Sequence, residues 1–219
     1  MQVQKIVERV RLAIDEMTAY AGDFANETVD SENLDDVIRD KIPYALIFIL
    51  ENAPEDKLDD TILGTMTSEE TSGVTISAGE PVKVKIPDDV VRVLSARLSS
   101  WSQSPVPVNE STQEYLMQQD EYARGSWDRP VTAIAYRNKD RYLELYSAKE
   151  DTDELLISLV RKPSIGDTSV ATTDVSVPVR LEAAFIYQIA GLTMEAFQEQ
   201  IAGDLFGIAT KYLTGISKE

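Results

Sequence analysis

Three β-rich runs in the middle of the chain constrain its fold more than any other feature. Pro130-Val131-Thr132-Ala133-Ile134-Ala135-Tyr136-Arg137 and Arg141-Tyr142-Leu143-Glu144-Leu145-Tyr146 are separated only by the polar Asn138-Lys139-Asp140. Two such runs around a short polar connection predict a β-hairpin. The third run, Asp153 to Arg161, places Leu155, Ile157 and Leu159 on one parity and Leu156, Ser158 and Val160 on the other. Successive strand side chains point to opposite faces, so a run apolar on both parities must be covered twice. The expectation is a sandwiched sheet whose cover comes from the two ends of the chain, because both ends read as helices.

Val3, Ile6, Val7, Val10, Ile14 and Met17 recur at helical spacing, with Gly22 as the stop. Leu34, Val37, Ile38 and Ile42 form a second stripe that Asp30 or Ser31 can cap. Pro43 lies inside that pattern, where it removes a backbone donor and clashes with the preceding turn, so a kink or restart is expected. Tyr44 to Leu50 is apolar nearly all round and needs burial in the core or against another subunit. Near the other end, Pro178 suits a first helical turn. Leu181, Ala184, Phe185, Ile189 and Leu192 then define one helix, and Gly191 to Thr193 turns the chain. Met194, Phe197, Ile201, Leu205, Ile208 and Tyr212 define another, closed by Gly215. The small residues Ala202, Gly203, Gly207 and Ala209 would admit a close helix neighbour.

The resulting expectation is an α+β fold in which an antiparallel β subdomain, residues 81–163, is inserted between N-terminal helices, 1–53, and a C-terminal helical pair, 178–219, that packs with them. Residues 54–80 read as an acidic, mobile loop and 164–177 as a polar linker. Within 81–163, Val82-Lys83-Val84-Lys85-Ile86 alternates as a strand should, while Val90 to Leu98 is strand-like with a short helix after Asp88-Asp89 as the competing reading. With 219 residues, 43% of them hydrophobic, the chain can bury a core without staples. Charges interrupt residues 1–20, against a signal peptide, and no apolar run reaches membrane-spanning length.

The chain contains no cysteine and no histidine, which removes thiolate nucleophiles, imidazole bases and the usual zinc ligands. Neither G-x-x-x-x-G-K, G-x-G-x-x-G nor G-x-S-x-G is present, so the common phosphate cradles and the serine-hydrolase elbow are absent too. A net charge of −17 opposes gripping nucleic acid through counterion release. Carboxylates remain: Asp35-Asp36, Asp59-Asp60, Asp88-Asp89, and Asp151 with Asp153-Glu154 could each hold a divalent ion. In a chain this acidic, the weightier reading is helix capping and loop solvation. Pro87-Asp88 is half of a metal-dependent nuclease motif, but the acid-x-Lys that should follow it occurs only upstream, as Glu55-Asp56-Lys57. Trp101 and Trp127 can anchor an interface or pack internally, and Arg137, Lys139 and Arg141 can touch phosphate or form a solvated turn. The expectation is therefore no catalytic residue, no cofactor and no bound metal.

One longer stretch carries a family likeness. Ile86-Pro87-Asp88-Asp89-Val90-Val91-Arg92-Val93-Leu94-Ser95-Ala96-Arg97-Leu98-Ser99-Ser100-Trp101 resembles ring proteins of the head–tail neck of crAss-like Bacteroides phages. Glu114-Tyr115, Arg129-Pro130-Val131, Leu143-Glu144-Leu145-Tyr146 and Phe185-Ile186-Tyr187-Gln188-Ile189-Ala190-Gly191-Leu192 extend the resemblance over about Ile86 to Leu213. These strings are not a catalytic signature. The resemblance implies a non-enzymatic virion protein, assembled in the host cytoplasm as a closed ring of its own copies, dodecameric by analogy with portal-docked adaptors. Its implied partners are the portal and adjacent ring or tail proteins, with DNA passing through unbound. An acidic wall suits such passage, since it repels phosphate. Head-to-tail contacts in a ring would use two different patches of each copy.

Two other readings stand beside it. A metal-dependent hydrolase would need convergent carboxylates, and a soluble α+β binding module would be a stable monomer. If the ring reading holds, the polar stretches 52–73 and 164–177 are long enough to order against a neighbouring copy. Deleting Glu55–Glu70 would then leave the subunit folded and weaken its attachment.

Overall fold

A computed structural model describes residues 1–21, 31–68, 71, 74–120 and 122–215. The architecture is α+β, with N-terminal helices, a central β region and a C-terminal helical pair. The chain divides into two compact units: residues 1–62 with 163–219, which are helical, and residues 63–162, which are β-rich.

In the helical unit, α1 (Val3–Ala21) and α2 (Ser31–Asn52) precede α4 (Glu182–Ala196) and α5 (Ala202–Thr214). Helix α4 packs against all three of the others. Its sequence explains that central place, because Ala184, Phe185, Ile186, Ile189, Ala190 and Met194 are buried on more than one side of the helix. From α1 the stripe Val3, Ile6, Val7, Val10 and Ile14 is buried, and from α2 come Ile38, Ile42, Leu46, Ile49 and Leu50. Each such side chain contributes roughly 1.5–3 kcal/mol by leaving water. The stop at Gly22 and the cap at Asp30 lie outside the described residues.

Two sequence expectations for this unit are corrected, and the one for Pro43 loses its restart. Helix α2 runs through Pro43 without a restart. Buried Ile42, Ala45 and Leu46 flank the proline, and their packing offsets the backbone bond it cannot make. Gly191 does not turn the chain: it is buried inside α4, and the turn falls after Ala196, where Gln198 has a φ of 60°. A Cβ at Gly191 would lie 2.5 Å from the Phe206 ring, so this glycine is what lets α5 approach α4, whereas Gly203 and Gly207 face open space. The stretch 164–177 is not a free linker. The Val3 amide donates to Thr173 O at 2.9 Å, Gln4 to Ala171 O at 3.0 Å and Val175 to Met1 O at 2.9 Å. This strap pairs with the start of α1 and buries Val175 fully. Gly215, at a φ of 72°, closes α5 as its sequence position requires.

The β-rich unit contains β1 (Leu63–Thr67), β2 (Val82–Lys85), β3 (Val90–Leu98), β4 (Val108–Asn109), the short α3 (Gln113–Met117), β5 (Val131–Arg137), β6 (Asp140–Tyr146) and β7 (Leu155–Arg161). Strands β5 and β6 form the expected hairpin, with a two-residue connection in which Asn138 and Lys139 have φ of 51° and 76°. Positive φ at both central residues matches the twist of the flanking strands. The third run does not join that hairpin. Strand β7 lies between β1 and β3 in one sheet, while the other runs β2-β6-β5-β4. Met66, Val90, Val93, Ala96, Leu98, Leu155, Ile157 and Leu159 of the first sheet share one core with Val82, Val84, Leu143 and Leu145 of the second. The inner cover of each sheet is thus the other sheet, not a terminal helix.

Strand β1 lies inside the segment whose charge reads as a mobile loop, pairing antiparallel from Leu63 opposite Val160 to Thr67 opposite Leu156. Only Met66 of it is fully inside, too little apolar content to stand out in sequence. Register shifts at Val90/Arg92 and Val93/Ser95 make β3 bury positions 90, 93, 96 and 98. Bulges of this kind turn a period of two into a spacing near three, which is why a helix competes with a strand in that sequence.

Candidate functional site

The carboxylate pairs are each engaged by their own neighbours. Asp35 accepts from Arg11 at 2.6 Å and Asp36 from Arg39 at 3.0 Å. Asp59 takes the Thr61 amide and hydroxyl, and Asp89 takes Arg161 at 2.7 Å. Asp151 accepts the Ala78 amide at 2.7 Å. Among the described residues no three carboxylates converge on a point where an ion could be held. Pro87 and Asp88 sit in the turn between β2 and β3, whereas Glu55-Asp56-Lys57 forms a 3-10 turn of the helical unit, so the two halves of the nuclease pattern fall in different units.

Asp153 is the most heavily used of these acids. It accepts from the hydroxyls of Ser99 (3.1 Å) and Ser100 (2.7 Å) and from the amides of Ser100 (3.1 Å), Lys149 (3.0 Å) and Glu150 (3.2 Å). Burial pushes its acidity toward the neutral form, but the donors from Ser100, Glu150, Lys149 and Ser99 outweigh that and hold its pKa below the usual carboxylate value. The carboxylate ties the turn after β6 to the end of β3. With five donors its lone pairs are taken, and it has nothing left to offer a ligand.

A second polar group occupies the outer face of β5 and β6. Glu144, 2% exposed, accepts from the Tyr146 hydroxyl at 2.6 Å and lies 3.7 Å from Arg137 and 3.8 Å from Lys83. Arg137 also donates to Tyr115 of α3 at 2.6 Å and to Glu110 at 3.1 Å. Burial, and then the neighbouring Glu144 carboxylate, raise the Tyr146 phenol above its ordinary pKa. Tyr115, Ala133, Ala135 and Tyr146 form a small core around this network. Of the basic cluster at the hairpin, Arg137 is thereby committed, and Arg141 donates to the carbonyls of Val90 and Val91. Sequence reading misses Glu144 and Tyr115, because Glu144 alternates with Leu143 and Leu145 as a solvent-facing residue would.

The two tryptophans separate cleanly. Trp101 is buried and its Nε1 donates to Ser147 O at 3.0 Å, so it belongs to the core. Trp127 is 46% exposed, with the Lys149 ammonium 4.6 Å from its ring centroid. It lies on the loop after α3 with Tyr122, which is 98% exposed, and Leu116 and Met117 at the end of α3 itself are exposed too. The loop is held down from within: Gln118 Oε1 accepts the Gly125 amide at 2.6 Å, the Arg124 Nε donates to Gln118 O at 3.2 Å, and the Ser147 hydroxyl donates to Gly125 O at 3.2 Å.

On the helical unit a shallow cavity of about 330 Å³ opens between α2 and α4, lined by Lys41, Tyr44, Leu192, Glu195 and Ala196. Tyr44 and Phe48, one turn apart on α2, are 61% and 42% exposed. The Tyr44–Leu50 segment thus buries Ala45, Leu46, Ile49 and Leu50 in its own core and leaves an aromatic face outward. These exposed apolar surfaces are the arrangement best suited to act on another molecule, and what they can do is bind.

No family model matches the sequence, and no curated protein matches it.

Proposed function

We propose that this chain is a structural, non-enzymatic protein that assembles into a ring of the phage head–tail neck, docked between the portal and adjacent ring or tail components in the virion. The observation that carries the reading is the distribution of commitments described above. Among the described residues, each carboxylate pair gives at least one member to holding the fold, while large apolar side chains are left exposed on both compact units. A subunit of a closed ring needs two different contact patches, and it gains them when each unit carries its own. The net charge of −17 fits a wall past which DNA slides without being held. No helix is long and apolar enough among the described residues to cross a membrane.

Electron micrographs of the purified protein, alone and mixed with portal assemblies, test the reading. Closed rings with a central opening, and no turnover when the protein is offered nucleic acid with magnesium or manganese, are the expected result. Ion-dependent cleavage that disappears in an Asp88→Asn or Asp151→Asn variant would replace it with the hydrolase reading.

A further inference from the structure

Residues 108–120, which run from β4 through α3, lie over the outer face of β5 and β6 and are fastened there mainly by polar groups. Of α3 only Tyr115 is buried, and it packs on Ala133, Ala135 and Tyr146. The backbone ties to the sheet are few: β4 pairs with β5 over two residues, and the Tyr136 amide donates to the Glu110 carboxylate at 3.2 Å. Many other bonds of the segment are local. The Tyr115 amide donates to Thr112 Oγ1, the Leu116 amide to Thr112 O, and Gln118 Nε2 to Glu114 O. A segment with so little buried apolar surface, and with bonds of its own to keep, opens at a lower free energy than the sandwich core beneath it.

Glu144 is the hub of the fastening. Its carboxylate is buried, yet among the described residues it accepts one hydrogen bond, from the Tyr146 hydroxyl at 2.6 Å. Arg137 at 3.7 Å and Lys83 at 3.8 Å supply charge from beyond hydrogen-bond distance. A buried carboxylate is costly unless it is paired, so Tyr146 and Arg137 are held where they serve it. These same two side chains meet the segment: Tyr146 packs against Tyr115, and Arg137 donates to the Tyr115 hydroxyl at 2.6 Å and to Glu110 at 3.1 Å. We propose that residues 108–120 form a flap that opens from the β2-β6-β5-β4 sheet as a unit, and that Glu144 is its latch. Gln118 passes the opening on, because its Oε1 accepts the Gly125 amide of the loop that bears the half-exposed Trp127. A closed flap presents that side chain on a fixed base, and an open one releases it. The inference goes beyond the ring reading and does not depend on it, since the subunit alone tests it.

Hydrogen exchange resolved by peptide, on the whole chain, is the experiment. Glu144→Gln keeps the shape of the side chain and an acceptor for Tyr146 but removes the charge that holds Arg137. Peptides within 112–120 should then exchange about tenfold faster than in the parent, while those of β3 and β7 keep their rates. Tyr115→Phe, which deletes the acceptor of Arg137 and leaves the ring, should act on the same peptides and by less. If Glu144→Gln fails to fold, the parent in rising urea carries the test, with 112–120 losing protection at a lower concentration than β3 and β7. Unchanged exchange in Glu144→Gln would overturn the latch. Equal acceleration in β3 and β7, or loss of protection everywhere at one urea concentration, would overturn the flap.

Discussion

In the β-rich unit, charge has been taken inside: Glu144 and Asp153 are buried, together with Gln118, Thr132 and Ser147. In the helical unit the buried polar side chains are Gln188 and Thr193, both uncharged, among the described residues. Its ion pairs, such as Arg9 with Glu182 at 2.9 Å, lie on the surface. The contrast follows from how each unit is built. Helices satisfy their own backbone, so a stripe of apolar residues is enough to assemble them. A small sandwich with long connections must also satisfy the turns and loops between its strands, and the buried Asp153 does that by collecting amides, while Glu144 meets the side chains of Tyr146, Arg137 and Lys83. At Asp153 the burial of a charged group goes with the anchoring of a loop.

Mutations sharpen the contrast, beginning with the largest effect. Phe185 is fully buried in α4, and Phe185→Ala should cost about 3–5 kcal/mol in denaturant unfolding. A loss below that range would mean that the helical core closes around the gap. Asp153→Ala should cost about 2–3 kcal/mol, because it strips the acceptor from several partly buried donors. Its pH signature is distinct. With a folded pKa held below the unfolded one, Asp153 contributes stability that is fully present above about pH 4 and is lost as pH falls through the folded value. Asp153→Asn should therefore show a flatter acid limb than the parent, and identical limbs would contradict the anchoring role.

Smaller effects separate positions that look alike in sequence. Gly191→Ala should destabilise by roughly 1–3 kcal/mol because its Cβ would enter the space of the Phe206 ring. Gly207→Ala, facing open space, should stabilise by about 0.5–1 kcal/mol by removing a flexible residue from a helix interior. Thermal melts of the two variants should move in opposite directions. The Arg9–Glu182 pair is about one-third exposed on each side, so Glu182→Gln should change stability by no more than about 1 kcal/mol, and less in high salt.

What could be read in the sequence was local. The hairpin was legible because Asn138-Lys139 lies between alternating runs, and α1 because its stripe keeps a strict period over Val3 to Ile14. Strand β7 was legible as a strand, but not its neighbours, since nothing in Leu155 to Arg161 says that its partners come from positions 63–67 and 90–98. The bulges of β3 blurred its period, and the charge around β1 hid Leu63 to Thr67. Gly191 reads as a stop because a helical glycine is costly, and only the Phe206 ring against it explains why it stays. For the candidate surfaces, Trp127 and the Tyr44–Leu50 segment were visible, but their exposure was not. Trp101 and Trp127 carry the same side chain, and only the fold sends one inside.

The mass of the protein in solution tests the proposed ring most directly. Native mass spectrometry across a hundredfold range of concentration, with and without portal assemblies, should find a closed oligomer at a fixed multiple of 24.4 kDa. A single species at 24.4 kDa under every condition would contradict it.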